Sequence, residues 1–530
     1  MSVQIHRNAR IRTLDPARPR AAVLVVTDGV ITAVGGEELL SSYDGEVVDH
    51  GGAFLMPALA DVHNHHLTAG RADLFELKFD GTEDLPGLLA AIRAWSADLP
   101  PDGWVVGGGW GSTLIPELST PEALAALDDA AGGRPVLLRD DSCHNRWVSS
   151  AALALAGISP GSGLLIESAL IPVERAYAAS APSTVEQDAQ ACLRGIEILH
   201  SFGVTAFQDA AASLPMLRAL KHLDDTGRLD AWVVTSLQVN DKIFGTHPLG
   251  QDLIDVREDY RGRHHRPDFV KIFLDGVPTS KTAAFLRPYL PDDVHGPSWR
   301  GETTMTAEEL TGWLLRVAGQ GLSAKIHCTG DASVRMTLDA VAAVRAEGFG
   351  AAKFHIAHGQ YVAEEDVPRM AGLGVIADLS PALWFPGVIF EAICACVPRE
   401  RAERLHPNRD LVDAGVLVAG GSDWPVVPSP DPWPGIQGLV TRADPTGVHP
   451  GRLWPEQALT LEEALQAYTL GAARAMGVDD VTGSLEPGKS ADFVVLDRDP
   501  FAVPADRLAG TRAEQTWFAG RKVYERAAGG

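Results

Sequence analysis

Short apolar runs that end in a histidine, lysine or aspartate recur between residues 57 and 480 of the chain. They alternate with Ala- and Leu-rich stretches that are typical of helices, such as PEALAALDDAA, ASVRMTLDAVAAVRAEG and LTLEEALQAYTLGAARAMG. Strands that alternate with helices indicate βαβ units and a parallel sheet. We therefore expect an α/β fold whose parallel strands carry polar side chains to one edge of the sheet.

The spacing of these polar residues favours a (β/α)8 TIM-type barrel, in which the carboxyl ends of all strands surround one mouth. A barrel of about 250 residues uses about 31 residues for each strand–helix unit. The interval from His327 to His358 equals one such unit, and the interval from His358 to Asp423 is close to two. Lys271 precedes His327 by one unit with a longer loop. These residues are predicted to end strands 4, 5, 6 and 8, with GLGVIADLSP as strand 7.

The first barrel strand is predicted to end in LMPALADVHNHH, which carries His63 and His65. The stretch from His65 to Lys271 is far longer than the three barrel units that should separate strands 1 and 4. At about 31 residues per unit, the barrel must hold an insertion of about 100 residues. We expect this insertion within residues 70–200.

The two ends of the chain have the patterns of β-structure. AAVLVVTDGVITAVG places Asp28-Gly29 between two β-branched runs, which is typical of a tight hairpin. Near the other end, ADFVVLDRDP is typical of a strand, and EQTWFAGRKVYE predicts a hairpin that turns at Gly520. We therefore predict a small β-sandwich domain built from residues 1–56 and 481–530, with the barrel over 57–480.

Composition excludes several classes of function. The 45 Lys and Arg residues against 69 Asp and Glu give a net charge of −24, which repels phosphate backbones. We expect no nucleic-acid partner and no membrane partner, because no apolar run reaches the length of a bilayer span. Five cysteines do not form a disulfide framework, and the first residues lack a signal-peptide core. A soluble cytoplasmic protein with a small-molecule substrate is expected, with a homodimer as a possible assembly.

The polar strand ends include candidates for binding a metal ion. Residues i and i+2 of a strand share a face, so His63 and His65 can bind one ion together. A buried Lys271 is costly unless it is charge-paired or modified. Taken alone, a histidine such as His327 can be an ordinary core residue, and Asp423 can be a helix N-cap. The joint order and spacing of the set favour a shared site at the barrel mouth.

The chain resembles the amidohydrolase superfamily, and within it the YtcJ-like branch, on motifs along nearly its whole length. These motifs are DGVITAVG, MPALADVHNH, FGVTAFQDAA, VKIFLDGVPTSKTAA, HCTGDAS, IAHGQYV, GGSDWPVVPSPDP, TLGAARAMG and GSLEPGKSADFVVLD. The resemblance implies a metal-dependent hydrolase of a carbon–nitrogen bond other than a peptide bond. Its expected substrate is an amide or an N-substituted formamide, with cyclic amides and carbamates as close alternatives.

The same resemblance implies a role for each residue of the set. The implied metal ligands are His63, His65 and Asp423 for a first ion, His327 and His358 for a second, and carbamylated Lys271 between them. Zn²⁺ suits imidazole and carboxylate ligands, with Mn²⁺, Fe²⁺ or Co²⁺ as alternatives and one or two ions per chain. A metal-bound hydroxide is then expected to attack the substrate, with Asp423 as general base and later general acid.

Other residues are less specific. His144, in DDSCHNRW, ends another apparent strand and is expected either to polarise the substrate carbonyl or to be structural. His66 and His355, beside ligand positions, are expected to support the ligands or the core. Cys394-Ala395-Cys396 lacks partner ligands at metal-site spacing and is expected to be an ordinary loop segment. Four tryptophans near motif ends could line a pocket for an apolar group or pack in the core: Trp110, Trp147, Trp384 and Trp424.

Competing classes of protein fit less well. A deaminase of an amino-heterocycle on the same barrel has a Glu three residues after the strand-5 histidine, where this chain has Gly330, and Lys271 is also present. A non-catalytic barrel that only binds other molecules would have lost some of the metal-binding residues, yet all six are present. A serine hydrolase is not supported because the chain has no GxSxG elbow.

Overall fold

The computed structural model describes residues 2–159, 161–383 and 385–527. The first part of the chain forms five strands: β1 (Val3–Arg12), β2 (Arg20–Ala21), β3 (Val23–Thr27), β4 (Val30–Gly35) and β5 (Glu46–Pro57). Between β3 and β4, Asp28 and Gly29 have φ angles of 49° and 85°. Two consecutive left-handed residues close a two-residue hairpin, as the Asp-Gly pair predicts.

The barrel begins with β6 (Leu59–Asn64) and α1 (His66–Phe75), after which the chain leaves it. The inserted segment forms its own five-stranded sheet in the order β11-β10-β9-β8-β7. Its strands are β7 (Leu77–Lys78), β8 (Val105–Trp110), β9 (Val136–Asp140), β10 (Asn145–Val148) and β11 (Leu164–Ile166). Its helices are α2 (Leu85–Ala97), α3 (Ile115–Leu118), α4 (Pro121–Ala130), α5 (Ser150–Leu155) and α6 (Ile171–Ser180). This segment lies within the range expected for the insertion.

The chain returns to the barrel and completes it. The remaining barrel strands are β12 (Val204–Ala212), β13 (Trp232–Gln238), β14 (His265–Phe273), β15 (Ser323–Cys328), β16 (Phe354–His358), β17 (Val375–Leu379) and β18 (Val418–Gly420). The helices are α7 (Val185–Ser201), α8 (Leu214–Asp225), α9 (Gln251–Asp255), α10 (Ala307–Gly319), α11 (Asp331–Ala346), α12 (Val367–Leu373), α13 (Val388–Cys396), α14 (Arg399–Ala402), α15 (Asn408–Asp413), α16 (Pro432–Thr441), α17 (Leu461–Ala467) and α18 (Leu470–Met476).

These strands form an eight-stranded parallel sheet in the order β6-β12-β13-β14-β15-β16-β17-β18. A parallel bridge between Asn64 and Trp424 brings the end of the sheet back beside β6, so the barrel is nearly closed. The α/β barrel predicted from the spacing is confirmed. Neighbouring strands are in register at the site, since Phe273 pairs with His327 and Cys328 pairs with His358.

Both chain ends meet in one further sheet. The last strands are β19 (Phe493–Leu496), β20 (Ala513–Phe518) and β21 (Arg521–Glu525). The eight-stranded sheet has the order β21-β20-β19-β5-β1-β3-β4, with β2 paired to β1. Because β5 lies centrally in this sheet and leads directly into β6, the sheet anchors the first barrel strand and its histidines.

One expectation about the cysteines is wrong. Cys394 and Cys396 lie in the last turn of helix α13 rather than in a loop, because VIFEAICAC continues in helical conformation up to Cys396. All five cysteines, each within a described range, have free thiols. Within the described ranges, the structure has no helix of sufficient length and apolar character to cross a membrane.

Candidate metal centre

All seven predicted site residues line one cavity of about 440 Å³ at the carboxyl ends of the barrel strands; they are His63, His65, His144, Lys271, His327, His358 and Asp423. Most lie on the strands or just after them, and His144 comes from the insertion, one residue before β10. The barrel thus brings together residues from the first, fourth, fifth, sixth and eighth of its strands, which are far apart in the chain. We call this space the central cavity.

The closest group consists of His63, His65 and Asp423. The Nε2 atoms of both histidines lie 3.5 Å from Asp423 Oδ1. The potential ligand atoms of the three residues lie within 4.8 Å of one another. Two imidazole nitrogens and a carboxylate oxygen at such separations are a donor set that suits a divalent cation such as zinc.

Hydrogen bonding orients His63 toward this cation position. His63 Nδ1 lies 3.1 Å from Asp378 Oδ2, so the carboxylate accepts the Nδ1 hydrogen and leaves the Nε2 lone pair free. The buried Nε2 has no hydrogen-bond partner among residues 2–159, 161–383 and 385–527. Burial also lowers the pKa of His63 well below its usual value, which keeps the ring in the neutral form that binds metals. The residues therefore fit a bound cation.

His327 and His358 lie beside this group. Their ring centroids are 4.6 Å apart, and the ring of His358 is 4.7 Å from that of His63. His358 Nδ1 lies 3.9 Å from Asp423 Oδ2, so both carboxylate oxygens of Asp423 face imidazoles. Burial lowers the pKa of both histidines well below the usual range, so they too are neutral.

Lys271 lies on β14 with its side chain buried in the same cavity, and only 1% of the residue is exposed. Its Nζ lies 4.8 Å from the centre of the Phe273 ring. Burial, together with the nearby charge of Lys325, lowers the pKa of Lys271 to about 8. The amine therefore loses its proton more readily than an exposed lysine does.

The backbone is strained at several positions in the cavity or beside it. His358, Asp423 and Cys143 have φ angles of 69°, 59° and 60°, and Glu167 has a φ angle of 47°. Left-handed conformations of non-glycine residues cost on the order of 1–3 kcal/mol each and concentrate at functional sites. Two of these four are predicted ligands, and Cys143 immediately precedes His144.

A glycine lets the eighth strand approach the first. A Cβ atom at Gly421 would lie 2.6 Å from the Cβ of His63 and 2.8 Å from its backbone nitrogen. Asp423 N donates a hydrogen bond of 2.7 Å to the carbonyl of His63. The close approach of these two segments is what brings Asp423 to the two histidines, and it explains the Gly-Gly-Ser that precedes this aspartate.

His144 faces an acidic residue that sequence reasoning missed. Its Nδ1 lies 3.7 Å from Glu167 Oε1, a distance too long for a direct hydrogen bond. Lys242 Nζ lies 3.0 Å from the other oxygen of Glu167, and Thr282 Oγ1 donates to the first at 2.9 Å. Burial alone would raise the pKa of Glu167, but His144 and Lys242 outweigh it and lower the pKa to about 2. Glu167 therefore ties the insertion to the barrel loops as a carboxylate.

Three further buried residues beneath the site were also missed. Asp378 is the next-to-last residue of β17 and contacts His63, while Lys325 on β15 contacts Asp378. Asp61 accepts hydrogen bonds from Ser422 N at 3.0 Å and Ser422 Oγ at 2.6 Å, which joins the first and eighth strands. For Lys325, the sequence does contain a signal that could have identified it. Side chains alternate along a strand, so Lys325, two residues before His327, lies on the same face as His327.

His66 and the three described tryptophans do not line the central cavity. His66 Nδ1 lies 2.8 Å from Asp209 Oδ2 inside the barrel wall. Trp110 and Trp147 are in the core of the insertion, and Trp424 is in the barrel core. Trp384 lies outside the described residues.

A second cavity, of about 450 Å³, opens beside the first. It shares His144, His327, His358 and Asp423 with the central cavity. Its other walls are mainly apolar and include Ile115, Val277, Leu383, Val388, Ile389 and Ala392. Val388 and Ile389 of helix α13 are 67% and 43% exposed, unusual for large apolar side chains. We call this space the apolar cavity.

A barrel with buried imidazoles and a carboxylate at its mouth defines a metal-dependent hydrolase site, and comparisons with known proteins agree. The profile of the amidohydrolase family matches residues 46–524. The chain therefore belongs to the amidohydrolase family, which confirms the resemblance seen in its motifs. It is thus a hydrolase that acts on carbon–nitrogen bonds.

Individual relatives match over nearly the whole chain. N-substituted formamide deformylase of Arthrobacter pascens is 28% identical, with 98% of each chain covered. The putative amidohydrolase YtcJ of Bacillus subtilis is 27% identical, with 96% of each covered. The crystal structure of an uncharacterized metal-dependent hydrolase from Pyrococcus horikoshii superimposes with a TM-score of 0.78 at 25% identity. This match covers 95% of this chain and 99% of the other.

Proposed function

We propose that this chain hydrolyses a non-peptide amide, with N-substituted formamides as the first substrates to test. The observation that carries the proposal is the convergence of His63 Nε2 and His65 Nε2 on Asp423 Oδ1, each at 3.5 Å, inside a cavity large enough for a small molecule. The similarity to N-substituted formamide deformylase supports the choice of substrate.

The ligand assignment follows from the donor atoms. His63, His65 and Asp423 would hold one divalent cation, and His327 with His358 would hold a second. Lys271 would bridge the two as a carbamate, because an ammonium buried against imidazoles is unfavourable and a carbamate supplies anionic oxygens. Zinc suits this donor set best, and manganese, iron and cobalt fit it as well. A bound cation would supply Lewis acidity that lowers the pKa of water and polarises a carbonyl.

Asp423 would move the proton of the reaction. Its carboxylate oxygens face His63 and His65 on one side and His358 on the other. In the proposed reaction, water adds to the amide carbon and Asp423 takes its proton. The carbon–nitrogen bond then breaks, and Asp423 returns the proton to the leaving nitrogen, giving an acid and an amine.

His144 would bind the substrate carbonyl oxygen. It lines both the central and the apolar cavity, and its Nδ1 lies 3.7 Å from Glu167 Oε1. An imidazole N–H aimed at the oxygen would stabilise the negative charge that develops there. We infer that the substituent of the amide lies in the apolar cavity, because its exposed side chains Val388 and Ile389 would be covered by an apolar group.

The proposal is tested by assaying the zinc-loaded protein with N-alkyl and N-benzyl formamides, measuring release of both formate and amine. Equal amounts of the two products are expected. Asp423→Asn should lower kcat by about 10²–10⁴-fold, the range for loss of a general acid–base. Asp102→Asn, at an exposed position that lines neither cavity, should have no effect. Absence of hydrolysis across the series by a zinc-loaded protein would refute the proposed substrate class.

A further inference from the structure

A buried lysine beneath the candidate metal centre contacts three acceptors at once. Lys325, on β15, is fully buried. Its Nζ donates to the Val62 carbonyl at 2.8 Å, lies 3.3 Å from His355 Nδ1, and makes a short contact with Asp378 Oδ2. The three acceptors belong to β6, β16 and β17, so this one side chain joins strands from different parts of the barrel.

The contacts around Lys325 are those of a lysine that donates three hydrogens. His355 Nε2 lies 3.0 Å from the carbonyl of Ala475, which can only accept, so Nε2 carries the hydrogen. Burial lowers the pKa of His355 to about 3, so its ring is neutral and Nδ1 is an acceptor. Lys325 must then donate a hydrogen to each of its three partners. A lysine with three donated hydrogens is an ammonium ion.

The ammonium shares an oxygen with a predicted metal ligand. Asp378 Oδ2 contacts Lys325 Nζ and lies 3.1 Å from His63 Nδ1. Burying an unpaired carboxylate is costly, whereas a carboxylate paired with a buried ammonium is compensated. Asp378 Oδ2, held by Lys325, can accept the Nδ1 hydrogen of His63, and this leaves the His63 Nε2 lone pair directed at the cation position.

We propose that Lys325 is a positioning residue for His63, acting through Asp378 to hold the imidazole in the tautomer that binds the cation. The inference rests on the proposed metal centre but not on the identity of the substrate. Lys325 touches none of the reacting atoms. Its effect is expected on cation affinity first, and on hydrolysis only as a consequence.

The test measures cation affinity rather than activity. Protein stripped of metal is reloaded with Zn²⁺ in competition with a chromogenic chelator. Lys325→Met and Asp378→Asn should each weaken binding about 10–100-fold, the usual effect of losing a partner of a metal-binding histidine. The double variant should bind no more weakly than Asp378→Asn alone, because both changes act through one hydrogen bond. Lys221→Met, which breaks a surface Lys–Asp pair on α8, is the matched control and should bind as the wild type does.

Nitrogen-15 NMR of histidine-labelled protein tests the same point without relying on a variant that folds. In the metal-free wild type, His63 should show a protonated Nδ1 and an unprotonated Nε2. A proton on Nε2 instead, or unchanged zinc affinity in a folded Lys325→Met protein, would overturn the proposal. Zinc affinity that falls as expected in a protein that hydrolyses no formamide would uphold the role of Lys325 and reject only the proposed substrate.

Discussion

Replacing Gly421 by alanine perturbs the approach of the eighth strand to the first. The added Cβ would lie 2.6 Å from the Cβ of His63 and 2.8 Å from its backbone nitrogen, closer than real Cβ atoms come to such neighbours. Neither segment moves easily, because Gly421 N donates to the Leu379 carbonyl at 2.8 Å and Asp423 N donates to the His63 carbonyl at 2.7 Å. The change should therefore shift Asp423 away from the two histidines by several tenths of an ångström.

Two magnitudes follow from this shift. Overpacking a tight site costs about 1–3 kcal/mol, so Gly421→Ala should lower the free energy of unfolding by that amount. A misplacement of ~1 Å can cost about 10²-fold in rate, so a smaller shift should lower kcat/KM by about 10-fold. Urea unfolding of the metal-free protein gives the first quantity, and formate release by the zinc-loaded protein gives the second.

A matched glycine elsewhere provides the control. Gly312 lies within helix α10, and a Cβ there would meet no heavy atom of the described residues within 4 Å. Gly312→Ala should stabilise the protein by about 0.5–1 kcal/mol through helix propensity and leave kcat/KM unchanged. If Gly421→Ala retains wild-type stability and activity, the account of how the two strands position Asp423 is wrong.

Three further predictions concern acid stability, the insertion and the apolar cavity. Burial lowers the pKa of His200 and of His265 to about 4, below the unfolded value of about 6.5. Because the unfolded chain then binds more protons between these values, stability should fall as the pH drops from 6.5 toward 4, by up to about 1.4 kcal/mol per pH unit for each histidine. Urea unfolding at pH 7 and pH 5 measures this loss, and His265→Gln should make it smaller. Glu167→Gln should lower kcat by about 10-fold with little change in KM, since it weakens the hold on His144, and steady-state kinetics separate the two. Ala392→Phe should narrow the apolar cavity, so that kcat/KM falls at least ~10-fold more for an N-benzyl than for an N-methyl formamide.

Each of these three can fail in a distinct way. A free energy of unfolding that is equal at pH 7 and pH 5 would show that the buried histidines do not remain neutral in the folded protein. An effect of Glu167→Gln on KM alone would assign Glu167 to ground-state binding rather than to positioning His144. Equal losses for both formamides in Ala392→Phe would place the substituent outside the apolar cavity. Val47→Phe, at an exposed position of β5 in the sheet formed by the chain ends, is the control for the last variant.

Much of the fold could be predicted from the sequence, because turn-forming residue pairs and the spacing of polar strand ends each indicate a particular local structure. Asp28-Gly29 specifies its hairpin because few other pairs adopt left-handed conformations in succession. The interval between His327 and His358 predicts adjacent strands because a barrel repeats one strand–helix unit of nearly constant length. The resemblance to amidohydrolases then gave the expected metal-ligand set, which the barrel gathers at one cavity.

The supporting residues were not predictable in the same way. Asp378 is the one polar residue of β17, and Lys325 lies two residues before His327 on β15. Their role follows from their contact across the barrel, which the sequence does not show. Glu167 lies in the insertion, and its approach to His144 depends on how that segment packs on the barrel loops. The loop expected at Cys394 and Cys396 was inferred from the lack of metal-site partners, which does not determine the backbone conformation, and the apolar stretch VIFEAICAC forms helix α13 instead.

The most direct test of the proposed metal centre is the metal content per chain. Protein produced with zinc or manganese and purified without chelator is measured by elemental analysis, together with His63→Ala and Lys271→Ala. The account predicts about two divalent ions per chain in the wild type, falling sharply in both variants. Absence of bound metal under every growth condition, or a metal content that neither variant changes, would contradict it.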